Sequence, residues 1–203
     1  MSTLSLVKPS LDYLPHYTAA LERGWSPDNI RKDEATREQL ARIAEDPARF
    51  VAGQDDPDAL GPPIKLPDGS AAQRLPGFHR WLWDGEFCGV IGCRWQPGRS
   101  ALPPHVLGHI GFSVVAWKRG RGYAKTALAL LLPQARGQGL AYVELTSDPG
   151  NIASQKVILS NRGRLVERFR KRAVYGGAEA LRFRIDLCGP VSPRMPRMVG
   201  VAI

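Results

Sequence analysis

The chain has 203 residues, of which 43% are hydrophobic and 23% charged, as in an ordinary globular domain. No run approaches the ~18 apolar residues of a membrane span, and the start, MSTLSLVKPSLDYLP, lacks the apolar core of a signal peptide, so a cytoplasmic protein without membrane contact is expected. Cys88, Cys93 and Cys188 fit neither a disulfide framework nor a zinc site. Cys88 and Cys93 are predicted to be buried free thiols on opposite faces of one strand.

The charge is unevenly distributed along the chain. Residues 1–100 contain 12 Lys and Arg against 14 Asp and Glu, whereas residues 101–203 contain 16 against 5. The net charge of +9 therefore comes from the second half. A basic half indicates either an anionic partner, which can be a nucleic acid, a membrane surface or a phosphorylated small molecule, or simply a solvated basic surface.

The first half of the chain predicts a strand and two helices followed by a long loop. Residues 4–8 have the pattern of a short strand. A helix capped by Ser10 is expected to run to about residue 22 and to stop at Gly24, and a second helix is expected over residues 33–45, ended by Pro47. Residues 51–77 are rich in Pro, Gly and Asp, which predicts a loop or insertion.

The second half alternates strands and helices. HRWLWDGEFCGVIGCRW predicts a hairpin that turns at Asp84-Gly85. A strand over residues 107–115, a helix from Ala124 that Pro133 kinks or splits, a strand over 141–147, a short helix after Asn151 and a final strand pair follow. The order predicts one α+β domain over residues 1–187 and an extended C-terminal tail over residues 188–203.

The segment WKRGRGYAK, residues 117–125, contains four cations and two glycines between a predicted strand and a predicted helix. A helix that opens in this way presents free backbone N–H groups and the positive end of its dipole, which bind phosphate well. The Gly-Lys-Ser/Thr of a Walker loop is absent. A dinucleotide fingerprint needs a third glycine where Lys125 stands, and the upstream hairpin does not fit its first βαβ unit, although Glu144 lies near the position of a ribose-binding acid.

Two motifs carry a resemblance to a known family. RGRGYA, residues 119–124, matches R-x-x-G-x-A, and DPGNIASQKVILSNRG, residues 148–163, stands downstream of it. In this order and at this spacing they resemble the coenzyme A pyrophosphate loop and the next motif of the GNAT superfamily of N-acetyltransferases. The resemblance covers about residues 110–166.

The resemblance implies an α+β fold with a mostly antiparallel central sheet, two splayed central strands at residues 108–115 and 141–147, and flanking helices. It implies acetyl-CoA as the acyl donor, no metal, and direct attack by the acceptor amine. It implies that the pyrophosphate is bound by Arg119, Gly120, Arg121, Gly122, Tyr123 and Ala124. It implies that the backbone N–H groups of Val114 and Val115 bind the thioester and the pantetheine. Asn151 and Ser154 are implied to lie near the pantetheine arm.

The proton carriers cannot be transferred by position. Many family members have a catalytic Tyr where this chain has Ile158 and a catalytic Glu where it has Thr146. His109 and Glu144 are therefore the candidate catalytic residues, with Asp148 as a further alternative.

We expect an acetyl-CoA-dependent N-acetyltransferase that acts on a small-molecule or peptide amine. We expect no nucleic acid or membrane partner, and a homodimer is a possible assembly. One rival is a non-catalytic acyl-CoA-binding or sensing module, suggested by Ile158 and Thr146. A second rival is a nucleic-acid-binding protein that uses the basic half.

Overall fold

The first third of the chain contains a short strand, then three helices and then three two-residue strands. The computed structural model describes residues 3–66 and 68–187, so Cys188 and the predicted tail at 188–203 lie outside the described residues. The elements up to residue 72 are β1 (Ser5–Val7), α1 (Leu14–Glu22), α2 (Lys32–Glu45), α3 (Pro47–Ala52), β2 (Asp55–Asp56), β3 (Ile64–Lys65) and β4 (Ala71–Ala72). Up to residue 76, the described part of the predicted loop over residues 51–77 therefore contains only the end of α3 and two-residue strands.

The remaining strands and helices form and cover the sheets that position the site. They are β5 (Gly77–Trp83), β6 (Phe87–Arg94), β7 (Ile110–Val114), α4 (Tyr123–Gly137), β8 (Tyr142–Ser147), α5 (Ile152–Leu159), β9 (Arg164–Arg170) and β10 (Glu179–Asp186). One antiparallel sheet has the order β1-β5-β6-β7, with β2 also paired to β5, and a second has the order β8-β10-β9. The expected α+β architecture with a mostly antiparallel arrangement is confirmed.

The two sheets meet at β7 and β8 without a continuous ladder. The backbone N–H of His109 donates to the carbonyl of Glu144 at 2.7 Å, and the N–H of Glu144 donates to Nδ1 of His109 at 2.9 Å. Beyond this junction no ladder joins β7 to β8 within the described chain, which shows that the two strands separate. The splayed central strands expected from the resemblance are present.

Two buried clusters hold the layers together. The larger joins both sheets to α4 and α5 and includes Ile91, Leu128, Leu145, Ile158 and Phe183. The smaller packs α1 and α3 on the other face of the first sheet, with Tyr17 stacked on Trp81 at a ring-centroid distance of 4.7 Å. The first sheet is thus covered on both faces, which fixes β6 and β7 as a rigid floor for the site.

Of the predicted details of the helices, the cap at Ser10 is wrong, the end of α2 before Pro47 is confirmed, and the split at Pro133 is not found. Ser10 does not cap α1, since the helix starts at Leu14 and the Ser10 hydroxyl is buried without a hydrogen-bond partner. Pro47 ends α2 but also starts α3, where its missing N–H is not needed. Pro133 does not split α4, which continues to Gly137.

The cysteine prediction is half right. Cys88 and Cys93 are buried free thiols, as expected. They do not point to opposite faces, because both join the larger cluster. The register of β5 and β6 shifts so that Leu82 pairs with Gly89 and Trp83 with Phe87, and this β-bulge reverses the alternation at Cys88.

In its described part the chain has no helix that is long and apolar enough to cross a membrane. The same residues contain no group of three or more His, Cys, Asp or Glu side chains arranged to hold a metal ion.

Candidate functional site

A groove of about 1180 Å³ lies where β7 and β8 separate. One end is formed by the loop before α4 and by the start of α5, and the other end by residues of β5 and β6. The groove therefore extends from the anion loop predicted within residues 117–125, past the edge of β7, to the opposite side of the first sheet. This continuity is what a two-substrate reaction requires, since both reactants must meet in one cavity.

The start of α4 presents unpaired backbone donors to the groove. Gly120 and Gly122 have φ angles of +79° and +77°, which glycine adopts without strain. The first intrahelical acceptor is the carbonyl of Gly122, which receives the N–H of Thr126 at 3.1 Å, and no side chain caps the helix. Within residues 3–66 and 68–187, the N–H groups of residues 122–125 have no acceptor. They form a candidate anion site at the positive end of a 15-residue helix.

Asp84 fixes both ends of this loop to the β5–β6 turn. One carboxylate oxygen lies 2.6 Å from Nζ of Lys118, and the other accepts the hydroxyl of Tyr123 at 2.5 Å. Burial raises the pKa of Asp84, but the hydrogen bonds from Lys118 and Tyr123 outweigh it and hold that pKa far below its ordinary value. The loop is thus clamped before any ligand binds. The sequence showed Asp84 only as a turn residue, and nothing in its spacing connects it to residues 118–123.

The edge of β7 supplies further donors. The N–H of Val115 donates to the carbonyl of Cys88 at 3.0 Å, and the N–H of Arg94 donates to the carbonyl of His109 at 2.9 Å. Because hydrogen-bonded pairs alternate along antiparallel strands, the N–H groups of Phe112 and Val114 face away from β6, toward the gap. This orientation is compatible with the role predicted for Val114, which stays a prediction. The Val115 prediction is corrected, since its N–H already has a partner, and the N–H of Phe112, which the sequence did not select, also faces the gap.

Eight of the ten predicted cofactor residues line the groove: Val114, Arg119, Gly120, Gly122, Tyr123, Ala124, Asn151 and Ser154. Val115 and Arg121 do not line it. Arg119 donates from Nε to the Val114 carbonyl at 3.2 Å, so it connects the loop to the strand edge. Asn151 caps α5 by accepting the N–H of Ser154 at 3.1 Å.

The two predicted catalytic residues contact each other through the backbone and do not line the groove. His109 is completely buried, and burial lowers its pKa. Its Nδ1 accepts the Glu144 N–H, and the carboxylate of Glu144 is bound by Arg184 at 2.7 Å. Both side chains therefore have structural contacts at the junction of the sheets, and their role as proton carriers stays a prediction.

The contacts of His109 predict a loss of stability on mutation. His109→Ala leaves the Glu144 N–H buried without an acceptor, which is expected to cost about 1–3 kcal/mol of unfolding free energy. His109→Gln, which retains an acceptor, is expected to lose less. Urea unfolding and turnover per folded molecule measure the two effects separately. A loss of ~10²–10⁴-fold in turnover for both variants, with stability unchanged, would instead assign His109 as the base.

The end of the groove away from α4 contains residues that sequence reasoning did not select. His79, Arg94 and Tyr175 line it. Burial, and next the charge of Arg94, lower the pKa of His79 to about 4, so its ring is neutral near pH 7. Tyr175 donates its hydroxyl to the His105 carbonyl at 2.7 Å. The pairing of β5, β6 and β7 places His79 beside Gly92 and Gly111. The sequence does not reveal which residues of these strands pair, so it could not place His79 there.

Splayed sheets around a groove, with a glycine-rich helix start at one end, are the features that the resemblance to the acetyltransferases implied. The chain belongs to the acetyltransferase (GNAT) family. The sequence model of this family matches residues 37–163, which is more than half of the chain. Among curated proteins, none matches the chain.

Solved structures with the same fold cover nearly the whole chain. RimL, the ribosomal L7/L12 alpha-N-protein acetyltransferase in complex with coenzyme A, matches with a TM-score of 0.60 and 14% identity over 92% of this chain and 95% of its own. An acetyltransferase from Salmonella typhimurium that modifies the N-terminal serine of the ribosomal protein L7/L12 matches with a TM-score of 0.58 and 13% identity over 92% and 96%. The microcin C7 self-immunity acetyltransferase MccE, with acetyl-CoA and AMP, matches at 0.55 and 11% over 92% and 93%.

Proposed function

We propose that this protein transfers the acetyl group of acetyl-CoA directly to a primary amine. The observation that carries the proposal is the set of unpaired N–H groups at residues 122–125, which opens onto the groove together with Arg119. These donors suit a pyrophosphate. The N–H groups of Phe112 and Val114 suit the thioester carbonyl, whose oxygen gains negative charge as the amine attacks.

The reaction needs no covalent enzyme intermediate. The neutral amine attacks the carbonyl carbon, the C–S bond breaks, and coenzyme A leaves as a thiolate that takes up a proton, while the new amide nitrogen loses one. The chain must bind both reactants in line and exclude water, and a base or water relay must take the amine proton. His109 and Glu144 stay the predicted carriers. His79 is an additional neutral acceptor that lines the groove.

The relatives support an amine acceptor of peptide or small-molecule size. RimL is described as an alpha-N-protein acetyltransferase, and MccE is described in complex with acetyl-CoA and AMP. For this chain the acceptor class, the cytoplasmic location and a homodimer are parts of the proposal. No metal is required by the reaction, because the backbone donors provide the electrophilic assistance.

A turnover screen tests the proposal. Purified protein and acetyl-CoA are incubated with amino acids, polyamines, aminoglycosides and peptide amides, and free thiol release is followed together with the mass of the acceptor. Thiol release that depends on one acceptor class and adds one acetyl group supports the proposal. Binding of acetyl-CoA without transfer to any amine favours the non-catalytic module, for which the buried Ile158 in place of a hydroxyl-bearing side chain is the supporting observation. Oligonucleotide binding at moderate salt, without coenzyme A binding, would favour the nucleic-acid rival.

A further inference from the structure

Arg94 occupies the meeting point of two cavities. It is the last residue of β6, and its side chain lines both the groove and an adjoining cavity of about 640 Å³ beneath α2 and α3. Arg74 and Tyr175 line both cavities as well. A ligand bound at the end of the groove opposite α4 would therefore lie near Arg94.

Arg94 differs from its basic neighbours in having no carboxylate partner. Arg80 pairs with Asp55 at 2.6 Å, and Arg74 lies 3.7 Å from Asp56 and donates to the Pro62 carbonyl at 2.9 Å. Among the described residues, the Arg94 side chain forms no hydrogen bond or ion pair. The residue is exposed, so an anion in the groove can reach its guanidinium without displacing a partner within the protein. An anion bound here would compensate that charge.

The floor beside Arg94 is kept clear of side chains. His79, Gly92 and Gly111 are in register across β5, β6 and β7. A Cβ on Gly92 would approach Cδ2 of His79 at 2.6 Å, and a Cβ on Gly111 would lie 3.8 Å from Nη2 of Arg94. The two glycines leave a space bounded by the neutral His79 ring and the Arg94 guanidinium. Arg74 and Tyr175 line both cavities beside Arg94. The cavity beneath α2 and α3 also contains other charged side chains, which are the carboxylates of Asp28, Glu38, Glu45 and Asp46 and the cations of Arg31, Arg42, Arg49 and Lys65.

We propose that Arg94 binds an anionic group carried by the acceptor amine, so that the enzyme selects acceptors with a carboxylate or phosphate. The inference rests on the acetyl transfer proposed above. Gly111 and Val114 are three residues apart on β7, which is about 10 Å at 3.3 Å per residue. The Arg94 guanidinium lies beside Gly111, and the proposed thioester carbonyl lies beside Val114. The anionic group is therefore expected about 10 Å from the nitrogen that attacks this carbonyl. In a peptide acceptor this is reached by an acidic side chain at the second or third residue.

Matched peptide amides test the selection by turnover. The acceptors are Ala-Glu-Ala and Ala-Ala-Glu amides, their Gln counterparts, and an Ala-phosphoserine-Ala amide that separates phosphate from carboxylate recognition. The wild type is expected to use the best acidic peptide with a kcat/KM ~10–100-fold above its Gln counterpart, as for one charged hydrogen bond. In Arg94→Gln this ratio falls to about one, and Arg94→Lys restores part of it, because a point charge replaces the guanidinium fork.

A control separates a local contact from the net charge of the protein. Arg136→Gln removes the same charge from the exposed last turn of α4, outside the groove, and is expected to retain the preference. Equal kcat/KM values for acidic and Gln peptides in the wild type, or an unchanged ratio in Arg94→Gln, would overturn the inference while leaving acetyl transfer itself intact.

Product binding tests the same site without turnover. Calorimetric titration with the N-acetylated peptide amides is expected to show ~10–100-fold tighter binding of the acidic product than of the Gln product, lost in Arg94→Gln. If no amine is acetylated but this difference is present, the transfer proposal fails and the anion site stands. Equal affinity for the two products, or no measurable binding of any acidic product, would contradict the anion site.

Discussion

Gly122→Glu is expected to reduce coenzyme A affinity by ~10³-fold, because a carboxylate ~4 Å from a phosphate repels it by about 4 kcal/mol at an effective dielectric constant of about 20. The Cβ would also enter the space where the backbone approaches the pyrophosphate. The protein should stay folded, since a Cβ at Gly122 has no atom within 4 Å. The positive φ of +77° adds a strain of about 1–2 kcal/mol. Calorimetric titration with coenzyme A measures the affinity.

The chain offers a matched control for both strain and charge. Gly139→Glu has a φ of +79°, also has no atom within 4 Å of its Cβ, and lies outside the groove. It is expected to lose similar stability and to bind coenzyme A like the wild type. Arg119→Ala removes one cation and its contact with the Val114 carbonyl, and is expected to weaken binding by a smaller factor of ~10–100. If Gly122→Glu binds like Gly139→Glu, the pyrophosphate does not bind at the start of α4.

Asp84→Ala is expected to lower the unfolding free energy by about 3–5 kcal/mol and to weaken coenzyme A binding. The side chains of Asp84 and Lys118 are only 10% and 7% exposed, so removing the carboxylate leaves a buried ammonium without its closest partner. Tyr123 loses its acceptor at the same time, and both ends of the anion loop are released. Denaturant unfolding and titration with coenzyme A measure the two effects.

Two variants test whether the buried pair is the cause. Glu86 also contacts Lys118, at 3.1 Å, but its side chain is 72% exposed, so Glu86→Gln is expected to cost less than about 1 kcal/mol. The double variant Asp84→Ala with Lys118→Met removes both charges and is expected to be more stable than Asp84→Ala alone. A double variant as unstable as the sum of its parts would contradict a buried charge pair at the turn.

The sequence was a reliable guide to several features with local chemistry, although the helix cap predicted at Ser10 was wrong. The start of α4 could be located from two glycines and four cations, and the cap of α5 from Asn151, because helix starts depend on residues within one turn. The hairpin at Asp84-Gly85 was identified in the same way. For this reason most of the predicted cofactor residues line the groove.

The remaining features depend on contacts between distant segments. Asp84 reaches Lys118 and Tyr123 across more than thirty positions, and His79 lies beside Gly92 and Gly111 only through strand pairing. The bulge at Gly89 reversed the orientation of Cys88, since a one-residue shift changes which face a side chain occupies. Hydrophobic periodicity does not contain this information. The end of the groove away from α4 is built mainly from such contacts, which is why the sequence did not select Arg94.

Thermal unfolding with acetyl-CoA tests the central claim most directly. A ligand that binds only the folded protein adds about 2.7 kcal/mol at a hundredfold excess over its Kd, which for a domain of this size corresponds to a rise of ~5–10 °C in Tm. Millimolar acetyl-CoA is expected to produce this rise, whereas equimolar inorganic pyrophosphate, which lacks the pantetheine arm and adenosine, is expected to give a smaller one. A Tm that millimolar acetyl-CoA leaves unchanged would contradict the account of the groove as the acetyl donor site.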